Sequence, residues 1–380
     1  MINADEFYNL VTGLGLDFFT GVPDSTLKDF CAYLNDTVPP ERHIITANEG
    51  GAVALAFGHY LATGKVGMVY MQNSGLGNAV NPLVSLADPD VYSIPVFLLI
   101  GWRGEPGVKD EPQHKKQGKI TLALLETLGI PYEILPPSLE EVKISIKKAK
   151  KILYDEGRSF AFVVRLQSFA PYSLKKQDRR ECEMEREEAI TIIAEQLGDD
   201  AVIISTTGKI SRELYEYRAA TGSGHGRDFL IIGSMGHASH IALGVSLAHP
   251  AKQIYCFDGD GSVIMHMGSL GINGTRAPSN FRHIVFNNAA HDSVGGQPTC
   301  GMAIDITAIA KACGYKHIFK AFSIDELTAI LPLLRERPGP SLLEVQVKKG
   351  ARKDLGRPKH TPEQLKIMFM EHLGVKARKR

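Results

Sequence analysis

Two short segments carry chemistry that can be read directly: Gly259-Asp260-Gly261-Ser262 and, 28 positions beyond Asp260, Asn287-Asn288. Each follows an apolar run, and the stretch between them is long enough for one helix. If those runs are neighbouring parallel strands joined by that helix, Asp260 and Asn288 lie side by side at one sheet edge. A charged oxygen beside a neutral one suits Mg²⁺, which wants hard oxygen ligands and takes few of them from protein when phosphates supply the rest. The Ala290 carbonyl could supply a third. Gly259 and Gly261 permit a tight turn, and Ser262 would open a helix whose free N–H groups face a phosphate. Either segment alone would pass for an ordinary turn. Their pairing behind two strands makes the signal. A nicotinamide-type glycine fingerprint fails, because Ile264 stands where the third glycine belongs.

Glu49, within Ala47-Asn48-Glu49-Gly50-Gly51-Ala52, is the second candidate. It follows the strand-like His43-Ile44-Ile45-Thr46 and stands ahead of a small-residue helix running from Gly50 to Leu61. A first-turn carboxylate complements the helix dipole, so its position alone does not mark catalysis. Gly51, Ala52, Ala54, Ala56 and Gly58 leave a face on which another backbone can come close.

The elements that must position these residues show a βα rhythm. Apolar runs at 18–20, 66–71, 96–100 and 160–164 read as strands buried on both faces, each ending in glycine or polar residues or following a helix. The rhythm restarts at 202–205, 230–232, 253–257, 283–286 and 342–347. The fold class is α/β: two domains, each a mainly parallel sheet flanked by helices, with no middle domain. The expected boundaries are a first domain at 1–172, a charged linker at 173–188, a second domain at 189–370 and a basic tail at 371–380. Ligands in such sheets bind at the carboxyl ends of the strands.

Composition narrows the function classes. The net charge is +1, from 43 basic and 42 acidic residues, so no global field draws in nucleic acid or membrane. Five scattered cysteines without CxxC spacing argue against a disulfide framework or zinc site and fit a reducing compartment. The start lacks a basic region followed by an apolar one, and no apolar run is long enough to span a bilayer, so the expected location is the cytoplasm.

Gly-Asp-Gly, one helix and strand, then Asn-Asn resembles the signature of thiamine-diphosphate enzymes. The resemblance runs nearly end to end over residues 1–370. The missing middle domain is similar to the compact branch of that family, the phosphonopyruvate and sulfopyruvate decarboxylases. Gly21-Val22-Pro23-Asp24-Ser25, Asp110-Glu111-Pro112-Gln113-His114, His291 to Thr299 and Asp354-Leu355-Gly356-Arg357-Pro358 point to the phosphonopyruvate group. The resemblance implies decarboxylation of 3-phosphonopyruvate to phosphonoacetaldehyde and CO₂ with thiamine diphosphate and Mg²⁺. Sulfopyruvate decarboxylation, or a non-catalytic thiamine-diphosphate-binding subunit, are the alternatives.

Residue by residue, it implies that the first domain holds the aminopyrimidine and the second the diphosphate. Asp260, Asn288 and the Ala290 carbonyl would hold Mg²⁺, with Gly259, Gly261 and Ser262 beside the diphosphate. Glu49 would hydrogen-bond N1′ of the pyrimidine and so activate the cofactor. The Gly233 carbonyl in Gly233-Ser234-Met235-Gly236 would accept the exocyclic amine, and Met235 would wedge the cofactor into its bent shape. The Glu49 helix would pack at a dimer interface, giving a homo-oligomer with active sites between subunits.

The chain also departs from the family pattern. Pyruvate-type decarboxylases carry paired histidines after a strand of the first domain, where this chain reads Gln72-Asn73-Ser74-Gly75-Leu76-Gly77-Asn78. Their glutamate beyond Asn-Asn is replaced by Val294. The proton donor must differ, and His114, His291 and Asp292 are the candidates. A tetrahedral anionic tail on the substrate wants hydroxyls and cations. Ser25, at an expected helix N-terminus, Gln297, Lys353 and Arg357 are the candidates there.

Overall fold

A computed structural model describes residues 1–176 and 182–377. The chain divides into two compact units, Met1–Asp178 with Ser293–Gln297, and Arg179–Asp292 with Pro298–Arg380. Residues 177–181 of the expected linker and 378–380 of the expected basic tail lie outside the described residues.

The first unit is one six-stranded sheet: β1 (Phe19–Gly21), β2 (His43–Ile45), β3 (Met68–Gln72), β4 (Phe97–Gly101), β5 (Tyr132–Ile134) and β6 (Phe160–Val164). The strand order is β2-β1-β3-β4-β6-β5, with every pair parallel. The second unit repeats the pattern with β7 (Val202–Ser205), β8 (Asp228–Leu230), β9 (Ile254–Gly259), β10 (Phe281–Asn287), β11 (His317–Ala321) and β12 (Ser341–Gln346). Its order is β8-β7-β9-β10-β12-β11, again parallel throughout. Strand for strand, the two orders are the same.

Helices cover both faces of each sheet, so the central strands are apolar on both sides. In the first unit one core gathers Phe7, Phe30, Phe97, Phe160 and Phe162, and another on the opposite face gathers Phe57, Val69, Ile100 and Trp102. Each such side chain, fully buried, contributes about 1.5–3 kcal/mol. The four hydrophobic clusters each stay within one unit.

Three local expectations are corrected. The strand expected at 230–232 is Asp228–Leu230, because the chain leaves the sheet at Ile231 to make the Gly233–Gly236 turn, where Gly233, Ser234 and Gly236 have φ of 72°, 49° and 86°. Asp260, not Ser262, opens the Asp260–Met265 helix. Ser25 is not at a helix start: the next helix is Lys28–Thr37, capped by Leu27. The edge strands β5 and β11 were not legible as apolar runs, since they are half-buried and mix polar with apolar residues.

Candidate active site

In the second unit, β9 and β10 are neighbours in the register Phe286↔Gly259, which sets the residues just beyond them side by side. Asp260 Oδ1 accepts the Asn288 N–H at 3.4 Å, and Oδ2 accepts the Thr299 hydroxyl. Burial pushes the Asp260 carboxyl up to about 6, against the hydrogen bonds from Thr299 and Asn288. The two asparagines do different work. Asn287 is wholly buried and its amide donates to the Gly301 carbonyl and to Glu344, both at 2.8 Å, tying the strand end to β12. Asn288 is partly exposed; its Oδ1 accepts the Ala290 N–H at 3.0 Å and its Nδ2 donates to Asp292 at 2.9 Å. A buried carboxylate at Asp260 with the amide oxygen of Asn288 and the carbonyl of Ala290 is, by donor type, a set that fits Mg²⁺.

A polar cradle adjoins this edge. The Ser262 hydroxyl bonds that of Thr206 and accepts the Gly236 N–H, both at 3.0 Å, and Thr207 accepts the Gly233 N–H at 3.0 Å. Ser262 is therefore a brace between turns as well as a first-turn residue. A Cβ on Gly261 would stand 3.3 Å from Met235 Cε and 3.4 Å from the His291 ring, so glycine leaves the close approach open there. Burial lowers His291 to about 4, which keeps the ring neutral at neutral pH. Asp292 accepts from Arg186 (2.9 Å), Asn288 (2.9 Å) and the Gly350 N–H (3.0 Å). Arg186 also forms a two-pronged pair with buried Glu213 at 2.8 Å. These donors make Asp292 a tie between Asn288, Arg186 and the Gly350 backbone. Lys353 and Arg357 are exposed. Their loop is pinned to the Lys209–Thr221 helix by Arg212 on the Gly356 carbonyl and by Glu216 on the Gly356 N–H, each 2.6 Å.

In the first unit, Glu49 is the first residue of the Glu49–Thr63 helix, with Asn48 as N-cap. It is 5% exposed, and its Oε2 accepts Asn78 Nδ2 at 2.7 Å. Gly75 lies against it so closely that a Cβ there would stand 2.5 Å from Glu49 Oε1. The strand end without a histidine pair is thus the seat of Glu49. The same segment reaches β4: Asn73 donates to the Arg103 carbonyl at 2.8 Å and accepts its N–H at 3.2 Å. Arg103 donates to Ser25 Oγ at 2.5 Å and grips Asp110 with two hydrogen bonds of 2.5 and 2.9 Å. Asp110 in turn receives His114 Nδ1 at 2.9 Å. Gln297 is wholly buried and donates to the Lys28 carbonyl at 3.2 Å, with Oε1 unpartnered.

Ser25, Glu49, His114 and Gln297 therefore belong to the first unit, and Gly233, Ser234, Met235, Gly259 to Ser262, Asn288, Ala290, His291, Asp292, Lys353 and Arg357 to the second. Sequence reading missed Asn73, Asn78 and Arg103 and left Asp110 without a role. The available signal was position for Asn73 and Arg103, which stand just past the carboxyl ends of β3 and β4, whereas Asn78 lies in the Leu76–Pro82 helix and Asp110 in the loop after β4.

The fold and these strand ends define a class: two parallel α/β units of the same strand order, one with the buried Asp260 and a polar edge, the other with the buried Glu49. The description "Thiamine pyrophosphate enzyme, N-terminal TPP binding domain" matches residues 3–124, and "Thiamine pyrophosphate enzyme, C-terminal TPP binding domain" matches 206–345. The chain belongs to the thiamine pyrophosphate enzyme family. It is 36% identical to a phosphonopyruvate decarboxylase of Streptomyces viridochromogenes, over 97% of this chain and 94% of that one. A phosphonopyruvate decarboxylase of Streptomyces hygroscopicus is 33% identical over 98% and 94% of the two chains. A sulfopyruvate decarboxylase of Methanosarcina acetivorans is 28% identical over 99% of both.

Proposed function

We propose that the chain catalyses thiamine-diphosphate- and Mg²⁺-dependent decarboxylation of 3-phosphonopyruvate to phosphonoacetaldehyde and CO₂. The observation that carries this reading is the 36% identity to a phosphonopyruvate decarboxylase along nearly the whole of both chains. When bound, thiamine diphosphate supplies a carbon nucleophile and an electron sink.

The residues divide the remaining work. Asp260, Asn288 and the Ala290 carbonyl hold Mg²⁺ against the diphosphate, and the Gly259–Ser262 turn lets the phosphates come close to the backbone. Gly233, Ser234 and Met235 orient the aminopyrimidine. Glu49 holds a hydrogen bond to that ring, and burial makes a charge-assisted bond there stronger than in water. No helix among the described residues is long and apolar enough to cross a membrane. Two copies of the chain act together, each lending Glu49 to the other's cofactor.

The carbon that loses CO₂ must gain a proton, and His114 is the donor. It is the candidate with a carboxylate partner to fix its proton on Nδ1, which leaves Nε2 to exchange protons with substrate. Ser25, Gln297, Lys353 and Arg357 receive the phosphonate.

The test strips metal and cofactor from the protein, restores Mg²⁺ and thiamine diphosphate, and offers phosphonopyruvate, sulfopyruvate and pyruvate separately. CO₂ from phosphonopyruvate, dependent on both additions, is expected. Turnover of sulfopyruvate alone would reassign the substrate, and no turnover of any would refute the reading.

A further inference from the structure

Asp110 is the most heavily used carboxylate of the first unit's loops. Oδ1 accepts from Arg103 Nη2 (2.5 Å), the Glu111 N–H (2.7 Å) and His114 Nδ1 (2.9 Å); Oδ2 accepts from Arg103 Nε (2.9 Å) and the Gly104 N–H (2.7 Å). Arg103 and Asp110 side chains are only 19% and 12% exposed, and that of His114 11%. An ionised carboxylate only accepts, so the His114 proton sits on Nδ1.

The other end of Arg103 meets Ser25. Because Arg103 Nη1 donates to Ser25 Oγ, the serine's own hydroxyl proton is left to turn toward an anion. The loop that carries the pair is stiff. Its start is held by the two Asn73 hydrogen bonds, and Asn73 is itself anchored on Thr121 at 2.9 Å. Gly104, at φ 71°, leaves no room for a side chain against the His114 carbonyl, nor does Gly118 against the Gly104 carbonyl. Trp102, next to Arg103, donates to the Gly118 carbonyl at 2.9 Å.

We propose that Arg103 and Asp110 are positioning residues, one clamp that presents the Ser25 hydroxyl to the substrate's anionic tail and His114 Nε2 to the carbon that is protonated. Through one ion pair, recognition of the tail and delivery of the proton share a rigid support. The electrostatics agree: against the upward push of burial, hydrogen bonds from Arg103 and His114 hold the Asp110 carboxyl far below the usual carboxylate range. This inference rests on the decarboxylase reading above.

The experiment uses the full chain loaded with thiamine diphosphate and Mg²⁺. Asp110→Asn should lower kcat for phosphonopyruvate about 100-fold, raise KM by a few-fold through the loosened Arg103, and alter the pH profile of kcat. Adding it to His114→Gln should cost almost nothing further in kcat, since both remove the same proton-delivery function. Arg103→Lys should raise KM about 10-fold, because a lysine cannot hold Ser25 and both Asp110 oxygens, and Asp110→Glu should recover part of the lost kcat. Trp102, the sole tryptophan, reports in each variant whether the loop is still packed. Imidazole ¹⁵N resonances of the wild-type protein should show His114 protonated on Nδ1, a readout that needs no turnover. The clamp is refuted by a wild-type kcat and pH profile in Asp110→Asn, by losses that multiply in the double variant, or by an Nε2–H tautomer. Failure of the wild-type enzyme to release CO₂ refutes the functional reading instead, and the ¹⁵N result still decides the clamp's geometry.

Discussion

The ends of β3 and β4 occupy the same places in the first unit as the ends of β9 and β10 do in the second, yet they carry different chemistry. Beyond β9 and β10 stand Asp260 and Asn288, joined by a hydrogen bond from the Asn288 N–H to the Asp260 carboxylate. Beyond β3 and β4 stand Asn73 and Arg103, joined by two hydrogen bonds of the same side-chain-to-backbone kind. The link between strand ends is retained while the charge differs: one edge carries the buried Asp260 carboxylate, and the other spends its own cation internally, on Asp110 and Ser25. The parallel extends to one edge strand of each sheet. Glu49 follows β2, and Gly233-Ser234-Met235-Gly236 follows β8, its topological counterpart. A repeated frame fixes where functional residues stand; the side chains placed there decide what each copy does.

The comparison can be broken most sharply at Glu49. Glu49→Gln should leave the fold and cofactor binding in place and lower kcat about 1,000-fold, measured by steady-state decarboxylation beside cofactor titration. Near-normal turnover would end the assignment. On the other edge, Asp260→Asn should weaken Mg²⁺-supported cofactor binding by about 100-fold or more. Calorimetric titration checks this, and unchanged affinity would remove Asp260 from the metal site.

Much of this contrast was legible in the sequence, and the limits are physical. Seven of the strands are apolar runs, since β3, β4, β6, β7, β9, β10 and β12 are buried on both faces. The Asp260–Asn288 pair could be found because spacing translates directly into register between neighbouring parallel strands. The Arg103–Asp110 pair could not, because a loop has no periodicity and an ion pair within it leaves no pattern. Sequence singled out Asn288 but gave Asn287 no role; the direction of its side chain is what makes Asn287 a brace and leaves Asn288 partly exposed.

A third test compares the edge strands. His43 heads β2, where its Nε2 lies 2.9 Å from the Tyr70 hydroxyl, whereas Asp228 heads β8 and is paired with Arg218 at 2.8 Å. Burial, with a smaller push from Lys176, lowers His43 to about 4. The unfolded chain therefore binds the proton more readily than the folded one. Stability from the neutral ring is full above about pH 6.5 and is lost as pH falls toward 4, by up to about 3 kcal/mol. Denaturant melts across that range should show the loss, and His43→Gln should reduce it, the remainder including the share of His291, which burial lowers over the same interval. A wild-type stability that does not fall over that interval would contradict the burial of a neutral His43.

The smallest expected effect is at the loop after β12. Arg357→Ala should raise KM for phosphonopyruvate about 10-fold and leave pyruvate nearly unaffected, because one exposed charge contributes modestly. Equal changes for both substrates would deny Arg357 any part in recognising the tail.

Among the described residues, two hydrophobic clusters lie wholly in the first unit and two wholly in the second, so each unit has an interior of its own. Evolution could therefore divide such a chain between residues 176 and 182 and pass the pieces on as two genes, each product inheriting a finished interior. The short excursion 293–297 is counted with the first unit while its flanks belong to the second, so a cut at that one place would not separate the two sets of residues cleanly.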